Sequence, residues 1–257
     1  MALDIVTIPL LSDNYAYLLR APQTGRVAVI DPSEAGPVLA VLKDHGWSLD
    51  FILNTHHHSD HIGGNAGLKD ATGARLVAAR ADADRIPDID ILLDDGDDFD
   101  LGGHRARILA VPGHTRGHIA YWFDRDAALF TGDTLFSLGC GRLFEGTPAE
   151  MWNSLCRLRD LPPETRIYCG HEYTQSNARY ALSIDPGNAD LRCRSTQVEA
   201  LRRIGHPTIP VTLGQERVTN PFLRADEPSL KVALGLDPQA SDVETFAAIR
   251  RGKDVFR

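Results

Sequence analysis

The sequence predicts an α+β protein with a β-rich first part and a helical second part. Short runs of apolar, β-branched and aromatic residues recur through the first part, with helical patterns between some of them. After His171 the strand-like runs largely disappear, and segments with helical spacing follow one another. The length of 257 residues allows one large domain with a small appendage. We therefore predict two domains, residues 1–171 and 172–257.

The first part opens with a predicted hairpin followed by a helix. The turn Gln23-Thr24-Gly25 separates two apolar runs, as in a β-hairpin. Val38, Val41 and Leu42 have helical spacing, and Gly46 would end that helix. The predicted strands of this part are residues 14–19, 27–30, 51–54, 75–79, 105–109, 120–123 and 128–130.

Two capping boxes mark the beginnings of later helices. Thr147-Pro148-Ala149-Glu150 combines a capping box with proline at the first helical position. Ser241-Asp242-Val243-Glu244 has the same capping pattern. The predicted helices of the second part are residues 173–183, 188–204 and 241–251, with breaks at 185–187 and 208–221.

Composition narrows the choice of partners and compartment. The net charge of −8 argues against nucleic acid as a partner, because phosphate binding needs a basic surface. No apolar run approaches the roughly 18 residues of a membrane span, and the N-terminus lacks the basic region of a secretory signal. The four cysteines have no C-x-x-C spacing, which is typical of a reduced compartment. We expect a cytoplasmic monomer that binds neither membrane nor nucleic acid.

A cluster of metal-ligand side chains follows the predicted strand 51–54. His56, His58, Asp60 and His61 lie within six positions of the chain. Ligands on one face of a helix would recur every four residues, whereas spacings of one and two suit a loop folded around ions. Imidazole nitrogens and carboxylate oxygens are common ligands of divalent metals. The sequence therefore predicts a metal-binding loop here.

Three further ligand candidates each follow a strand-like run and a glycine. They are His114 after Pro112-Gly113, Asp133 after Gly132 and His171 after Gly170. Glycine allows the sharp turn and close backbone approach that such a site needs. Five histidines and two aspartates are too many for one tetrahedral zinc, and they fit two ions that share a bridging carboxylate.

The order H-x-H-x-D-H, then H, D and H, resembles the metallo-β-lactamase superfamily. Longer segments are similar to the glyoxalase II family, the hydroxyacylglutathione hydrolases, and the similarity covers nearly the whole chain. This resemblance implies an αββα sandwich followed by a small helical C-terminal domain. The segments that carry it are residues 130–136, 139–147, 170–174 and 220–224, together with Arg250-Arg251-Gly252-Lys253-Asp254.

The resemblance also implies how the ligands are shared between two divalent ions. It assigns His56, His58 and His114 to one ion, assigns Asp60, His61 and His171 to the second, and makes Asp133 the bridge. A ligand set of nitrogen and oxygen donors suits Zn²⁺ and also admits Fe or Mn. Asp60 and Asp133, the two carboxylates of the set, are the predicted catalytic residues.

The implied activity is hydrolysis of glutathione thioesters, chiefly S-D-lactoylglutathione. A water held by two ions can have a pKa of about 7, against about 15.7 in bulk water, so hydroxide is available at neutral pH. That hydroxide would attack the thioester carbonyl. The leaving thiol has a pKa near 8.5 on the cysteine scale, so a strong general acid is not obligatory.

The family holds glutathione through basic residues and tyrosine hydroxyls. The matching positions are Arg142, Phe144, Tyr173, Arg250 and Lys253. Phe144 stands where relatives can present tyrosine, so one hydroxyl contact is absent. From residues alone, the C-terminal cations fit a helix end as well as a ligand site, and the resemblance favours the ligand.

Several alternatives stay open at this stage. Within the superfamily, a persulfide dioxygenase with one iron, a lactonase or a nuclease would use the same fold. Asp31 after the second strand could orient a ligand imidazole or simply form a turn before Pro32. His118 is interpreted as a neighbour of the ligands, because the ligand set is already complete without it.

Overall fold

In a computed structural model, which describes residues 2–256, the chain forms two compact units. The first unit contains the chain up to Ala110 together with Arg116–Gly132. The second contains Val111–Thr115 and the chain from Asp133 onward. This division follows compactness, and the domain boundary between residues 171 and 172 remains a prediction.

The first unit is built on two β-sheets. The first three strands of one sheet are antiparallel, and the next three continue it in parallel. Four antiparallel strands form the other sheet of this unit. The first sheet contains β1 (Asp4–Leu10), β2 (Asn14–Arg20), β3 (Val27–Ile30), β4 (Phe51–Leu53), β5 (Arg75–Ala79) and β6 (Ile91–Leu93); the second contains β7 (Asp98–Leu101), β8 (His104–Ala110), β9 (Ile119–Phe123) and β10 (Ala128–Gly132).

Helices cover one face of the first sheet, and the second sheet packs on its other face. The helices are α1 (Ala35–His45), α2 (Ser59–Ile62) and α3 (Asn65–Thr72). Ala16 and Leu18 of β2 join a core cluster with residues of α1 and α3. Tyr17 points to the opposite face, because strand side chains alternate, and its ring centroid lies 5.4 Å from that of Phe130 in β10. Burial on both faces explains why residues 15–19 of β2 are all apolar or aromatic.

The second unit is mainly helical. Its elements are β11 (Leu135–Phe136), β12 (Gly139–Cys140), α4 (Pro148–Arg159), β13 (Arg166–Cys169), α5 (Thr174–Ile184), α6 (Ala189–Arg203), β14 (Val211–Thr212), α7 (Leu213–Thr219), α8 (Pro228–Ala233) and α9 (Asp242–Val255). β11 pairs with β12, and β13 pairs with β14, both antiparallel. Among residues 2–256, no helix combines the length and the apolar character needed to cross a membrane.

Both predicted capping boxes are confirmed. The Thr147 hydroxyl accepts the backbone NH of Glu150, and the Glu150 carboxylate accepts the backbone NH of Thr147 at 2.7 Å. Ser241 and Glu244 form the same pair of bonds at the beginning of α9. Each box satisfies two backbone groups that a helix leaves without intrahelical partners.

The predicted break at residues 208–221 is wrong in its middle. This segment contains β14 and α7, although three nearby prolines suggest irregular chain. The Thr212 side chain accepts the backbone NH of Gln215 at 3.3 Å, which caps α7. The Thr212 cap lies just two residues after Pro210, which leaves room for a helix of seven residues before Pro221.

Candidate metal centre

The first unit holds four of the predicted ligands between β4 and the end of α2. The Nε2 atom of His56 lies 3.1 Å from the Nδ1 atom of His58. Two nitrogens bound to one zinc at about 2.0–2.1 Å lie roughly 2.9–3.4 Å apart for bond angles between octahedral and tetrahedral. The two rings are therefore spaced as two ligands of one ion would be.

Asp60 and His61 lie on a helical turn, so the prediction of a loop throughout this segment is wrong in its second half. They belong to α2, where the His61 Nε2 atom lies 3.6 Å from the Asp60 Oδ2 atom. Asn14 of β2 donates its side-chain amide to the same carboxylate oxygen at 3.1 Å. The side chains of consecutive helical residues point about 100° apart. The side chains of Asp60 and His61 nevertheless approach one another closely enough to reach the same point in space.

Asp31 orients the His61 imidazole. Its Oδ2 atom accepts a hydrogen bond from His61 Nδ1 at 3.0 Å. The same carboxylate accepts the Thr55 backbone NH at 2.8 Å and the Thr55 hydroxyl at 2.6 Å. A proton on Nδ1 leaves Nε2 as the acceptor nitrogen, which is the tautomer that a metal ligand needs. Of the two interpretations left open from sequence, the structure supports the orienting one.

Glycine is required where α2 joins α3. The Gly64 backbone NH donates to the Pro32 carbonyl at 2.7 Å. A β-carbon at this position would lie 2.7 Å from the same oxygen and 2.9 Å from the Glu34 carbonyl carbon. Any larger residue would push the ligand-bearing turn away from the loop that carries Asp31.

Two other histidines support the ligand segment. The His118 ring is buried and stacks on His56, with centroids 4.7 Å apart and planes 16° from parallel. The His57 Nδ1 atom lies 3.5 Å from the carboxylate of Asp82, which is fully buried. Sequence reasoning missed Asp82 and Asn14, because each is a single polar residue without a motif around it.

The second unit holds the other three predicted ligands, with the Asp133 carboxylate between two histidines. The Asp133 Oδ2 atom lies 3.5 Å from His114 Nε2 and 3.3 Å from His171 Nε2. His114 Nδ1 donates to the Arg142 carbonyl at 2.8 Å, so its Nε2 is also the acceptor nitrogen. Asp133 thus lies between two imidazoles, the position that the prediction of a bridging carboxylate requires.

The chemistry of the donors suits hard or borderline divalent ions. The candidate ligands offer only imidazole nitrogens and carboxylate oxygens, a set compatible with Zn²⁺, Fe or Mn. Two cysteines in the second unit are unsuited to join them. Burial raises the pKa of the Cys140 thiol to about 11 and that of Cys169 to about 12, so both stay protonated at neutral pH.

Two aromatic side chains flank ligands of the second unit and remain open to solvent. The Phe144 side chain is 62% exposed, and its ring centroid lies 5.2 Å from that of His114. Tyr173 is 38% exposed and stacks on His171, with centroids 4.6 Å apart and planes within 2°. Both rings could contact a molecule bound at these ligands, which is where the sequence places substrate recognition.

The predicted basic residues differ in exposure. Arg250 is buried: it donates to the Cys140 carbonyl at 2.7 Å and to Asp254 at 2.9 Å. Lys253 is half-buried, and its ammonium donates to the Ser176 hydroxyl at 2.8 Å. Arg142 is exposed, with its Nε atom 3.9 Å from Asp254.

Positive charge accumulates around Lys253. Burial, and then the charges of Arg250, Arg142 and Arg179, lower the pKa of its ammonium to about 8, while Asp254 opposes them. Three arginines thus act on this lysine against one acid. Such a surplus favours an anionic ligand.

The fold and the ligand segments define a class of protein. The metallo-β-lactamase superfamily model matches residues 11–171, and the hydroxyacylglutathione hydrolase C-terminus model matches residues 172–256. The hydroxyacylglutathione hydrolase of Methylococcus capsulatus is 59% identical over 255 residues, covering 99% of each chain. The chain belongs to the hydroxyacylglutathione hydrolase family of the metallo-β-lactamase superfamily.

Solved structures confirm the metallo-β-lactamase fold. A crystal structure of ETHE1 from Myxococcus xanthus matches with a TM-score of 0.71 and 24% identity, covering 100% of this chain and 93% of that one. A structure of TTHA1623 in a di-iron-bound form matches with a TM-score of 0.62 and 28% identity, covering 86% of this chain and all of that one. The predicted fold class is therefore confirmed.

Proposed function

We propose that this protein hydrolyses S-(2-hydroxyacyl)glutathione thioesters, chiefly S-D-lactoylglutathione, to glutathione and the 2-hydroxy acid. The observation that carries the proposal is 59% identity, over 99% of both chains, to a protein named hydroxyacylglutathione hydrolase. The physical features of each unit agree with it. One unit presents paired imidazole and carboxylate ligands, and the other presents three more ligands beside exposed aromatic rings and a cationic surface.

The seven predicted ligands would hold two divalent ions, with Zn²⁺ the preferred identity and Fe or Mn compatible. His56, His58 and His114 would bind one ion, Asp60, His61 and His171 would bind the other, and Asp133 would bridge them. When bound, the ions supply Lewis acidity and lower the pKa of a coordinated water to about 7. This assignment is supported by ligand spacings of 3.1–3.6 Å within each unit.

The protein's own contribution is to fix the ligands before substrate arrives. Asp31 accepts a hydrogen bond from Nδ1 of His61, and the Arg142 carbonyl accepts one from Nδ1 of His114. Both imidazoles therefore present an unprotonated Nε2 to an ion. Asn14 restrains the Asp60 carboxylate. Because the leaving thiol has a pKa near 8.5, the chain needs no strong general acid for it.

We further propose that residues 172–257 form the glutathione-recognition domain, with help from Arg142 and Phe144, which precede the boundary. Tyr173 and Phe144 would line the thioester, since both are exposed beside ligand imidazoles. Phenylalanine cannot donate a hydrogen bond, so recognition at position 144 would rest on apolar contact alone.

The cations Arg142, Lys253 and Arg250 would recognise the carboxylates of glutathione. Arg142 and Lys253 have the accessibility that direct contact requires. Arg250 is buried and already donates to Cys140 and Asp254, so its contribution would come through the field around Lys253. Charge-assisted contacts of this kind are worth roughly 1.5–3 kcal/mol, less where solvent screens them.

Other activities of the fold are not favoured. A mono-iron persulfide dioxygenase, a lactonase or a nuclease would not need the cationic C-terminal surface. The family segment of hydroxyacylglutathione hydrolases matches this region from residue 172 to residue 256. A net charge of −8 further disfavours a nuclease.

The decisive experiment follows hydrolysis of S-D-lactoylglutathione by the loss of thioester ultraviolet absorbance, with and without a chelator. We expect turnover that chelation abolishes and that Zn²⁺ restores, together with two metal ions per chain by elemental analysis. A firmly held single ion with full activity would overturn the binuclear assignment. Activity that survives complete removal of metal would overturn the metal-dependent mechanism, and the absence of turnover in the metal-loaded protein would overturn the proposed function.

Monomeric state and cytoplasmic location are proposals from sequence. Multi-angle light scattering on the purified chain would test the first, and fractionation of the source cells would test the second.

A further inference from the structure

The short β11–β12 hairpin separates two parts of the candidate metal centre. Asp133 lies two residues before β11, and Arg142, whose carbonyl orients His114, lies two residues after β12. Each strand has only two residues, and such a hairpin is not stable alone. Its turn also places Leu138 at a φ of 58°, which is unfavourable for a residue with a β-carbon. Contacts from elsewhere must therefore hold this hairpin in place.

Glu216 of α7 holds the turn of the hairpin. The Glu216 carboxylate accepts the Leu138 backbone NH at 2.7 Å and the Ser137 hydroxyl at 3.0 Å. Glu216 is fully buried. Burial raises its pKa, whereas the hydrogen bonds from Leu138, Asn220 and Ser137 and the charge of Arg194 oppose that rise. Burying a carboxylate costs free energy unless hydrogen bonds satisfy it. The three donors to Glu216 must therefore stay close to their observed positions.

Asn220 holds the two strands of the hairpin. Its side-chain amide donates to the Phe136 carbonyl at 3.2 Å, to the Gly139 carbonyl at 3.0 Å and to Glu216 at 2.9 Å. Its own side-chain oxygen accepts the Phe222 backbone NH at 3.0 Å. Asn220 is fully buried, so water cannot replace these bonds. We name Glu216 and Asn220 together the hairpin clamp.

The hairpin passes this restraint to two candidate ligands. The Gly141 backbone NH donates to the Thr134 carbonyl at 3.2 Å, which extends the ladder beyond β11 and β12. A β-carbon at Gly141 would lie 1.9 Å from the Asp133 carbonyl oxygen and 3.1 Å from His114 Nδ1. The backbone at Gly141 is thus pressed against both ligands, and a shift of the hairpin would displace them.

We propose that Glu216 and Asn220 are positioning residues for the metal centre, which set the placement of Asp133 and His114 through the β11–β12 hairpin. The inference rests on the proposed function for the identity of the ligands. It also connects the segment 220–224 to the metal centre, although this segment lies far along the chain from every predicted ligand. Asn220 is fully buried and offers no surface to a substrate, so its effect would reach the reaction only through the ligands.

Arg224 provides a matched control from the same segment. It is 9% exposed and pairs with Asp185 at 2.5 Å and with Glu227 at 2.5 Å. These partners lie outside the hairpin. Arg224→Ala should therefore lower thermal stability without moving Asp133 or His114, which separates a loss of stability from a loss of positioning.

The test measures the affinity of each purified variant for Zn²⁺ by competition with a chromogenic chelator. Glu216→Ala and Asn220→Ala should lower affinity about tenfold or more, in line with other supporting residues of metal sites. Glu216→Gln should keep it within about threefold, because the amide can still accept from Leu138 and donate to Ser137. Arg224→Ala should also stay within about threefold of the unsubstituted chain.

Two outcomes of the affinity test would overturn the inference. One is Zn²⁺ affinity in Glu216→Ala and Asn220→Ala that stays within about threefold of the unsubstituted chain. The other is an equal loss in Arg224→Ala. Failure of the unsubstituted chain itself to bind Zn²⁺, Fe or Mn would instead refute the metal assignment on which the proposed function rests.

A measurement on the unsubstituted chain tests the inference even if the variants fail to fold. Coupling between two sites is reciprocal, so a clamp that supports metal binding must itself be stabilised by metal. Chelation should therefore speed hydrogen exchange of the Leu138 and Gly141 amides about tenfold or more. The Asp185 amide, which bonds to Ala181 at 2.9 Å, serves as the reference and should not change. Unchanged exchange at Leu138 and Gly141 would overturn the inference.

Discussion

The Nδ1 atom of His61 lies 3.0 Å from a carboxylate oxygen of Asp31, and neither side chain is exposed. Asp31 comes directly after β3, whereas His61 lies on α2, thirty residues further along the chain. The pair connects the ligand-bearing turn to the end of β3, a central strand of the first sheet. It also decides which imidazole nitrogen carries the proton, and hence which one can bind a metal.

Asp31→Ala should therefore weaken metal binding without removing any ligand. Loss of an orienting carboxylate typically costs about 10- to 100-fold in metal affinity. The bonds to Thr55 would also be lost, so some loss of thermal stability should accompany the change. Zn²⁺ titration checks the affinity, with Asp44→Ala on the exposed side of α1 as the control. Equal Zn²⁺ affinity for the two variants would contradict an orienting role for Asp31.

Asp133→Ala should be the most damaging single change in the ligand set. Its carboxylate lies within 3.5 Å of His114 Nε2 and His171 Nε2, so both proposed ions depend on it. His171→Ala should instead weaken mainly one ion. Elemental analysis after desalting should find fewer than one metal per chain in the first variant and about one in the second. Retention of two ions and near-normal turnover by Asp133→Ala would show that the ligand assignment is wrong.

The sequence singled out the candidate ligands, which stay predictions, but it did not indicate the residues that support them. The spacing of His56, His58, Asp60 and His61 was sufficient to indicate a metal site, because few other structures need that pattern. Glycines before His114, Asp133 and His171 marked strand ends in the same way. By contrast, Glu216 and Asn220 contact the hairpin across some 80 positions of chain, and no local pattern encodes such a distant bond.

Elements that depend on tertiary contacts were also missed. β1, β6 and α3 escaped prediction, although their residues pack in or against the first sheet. The helix α7 was mistaken for a break, because its flanking prolines outweighed a single threonine cap. Capping boxes, in contrast, were predicted correctly at Thr147 and Ser241, since both partners lie within four residues of one another.

Ser241→Ala should lower stability and leave catalysis unchanged. The substitution removes the side-chain acceptor of the Glu244 backbone NH at the beginning of α9. Loss of such a cap costs about 1 kcal/mol of the free energy of unfolding. Chemical denaturation checks that value, and KM for S-D-lactoylglutathione should stay within error of the parent. A large rise in KM would mean that the beginning of α9 contributes to the substrate site.

Arg250→Ala should affect mainly stability, whereas Lys253→Ala should affect mainly substrate binding. Arg250 is buried and bonded to Cys140 and Asp254, so its loss should cost about 1–3 kcal/mol of stability. Lys253→Ala should not lower stability and should raise KM. With both residues replaced, KM should rise about tenfold or more at nearly constant kcat, and selectivity for glutathione thioesters over uncharged thioesters should fall. Unchanged KM and selectivity in the double variant would return both cations to a purely structural role.

Substrate binding should weaken as the pH rises through about 8, because Lys253 then loses its charge. Its pKa in the folded chain is lowered to about 8 from 10.5, chiefly by burial and then by Arg250, Arg142 and Arg179. The ammonium is therefore present below pH 8 and lost above it. A bound carboxylate favours the charged form and raises that pKa, so binding takes up a proton above pH 8. KM for S-D-lactoylglutathione should accordingly rise between pH 8 and pH 9.5, by up to about tenfold per unit.

Lys253→Arg isolates this effect from other groups that titrate in the same range, including the amino group of the substrate. Arginine keeps its charge throughout, so the variant should retain a low KM at pH 9.5 and lose most of the rise. The depressed pKa also predicts the sign for stability. The unfolded chain holds this proton up to about 10.5, so the free energy of unfolding should increase with pH between about 8 and 10.5 in the absence of substrate. Lys253→Arg should show a smaller increase than the parent over that interval. If KM rises equally in the parent and in Lys253→Arg, then Lys253 is not the titrating group and its charge does not hold the substrate.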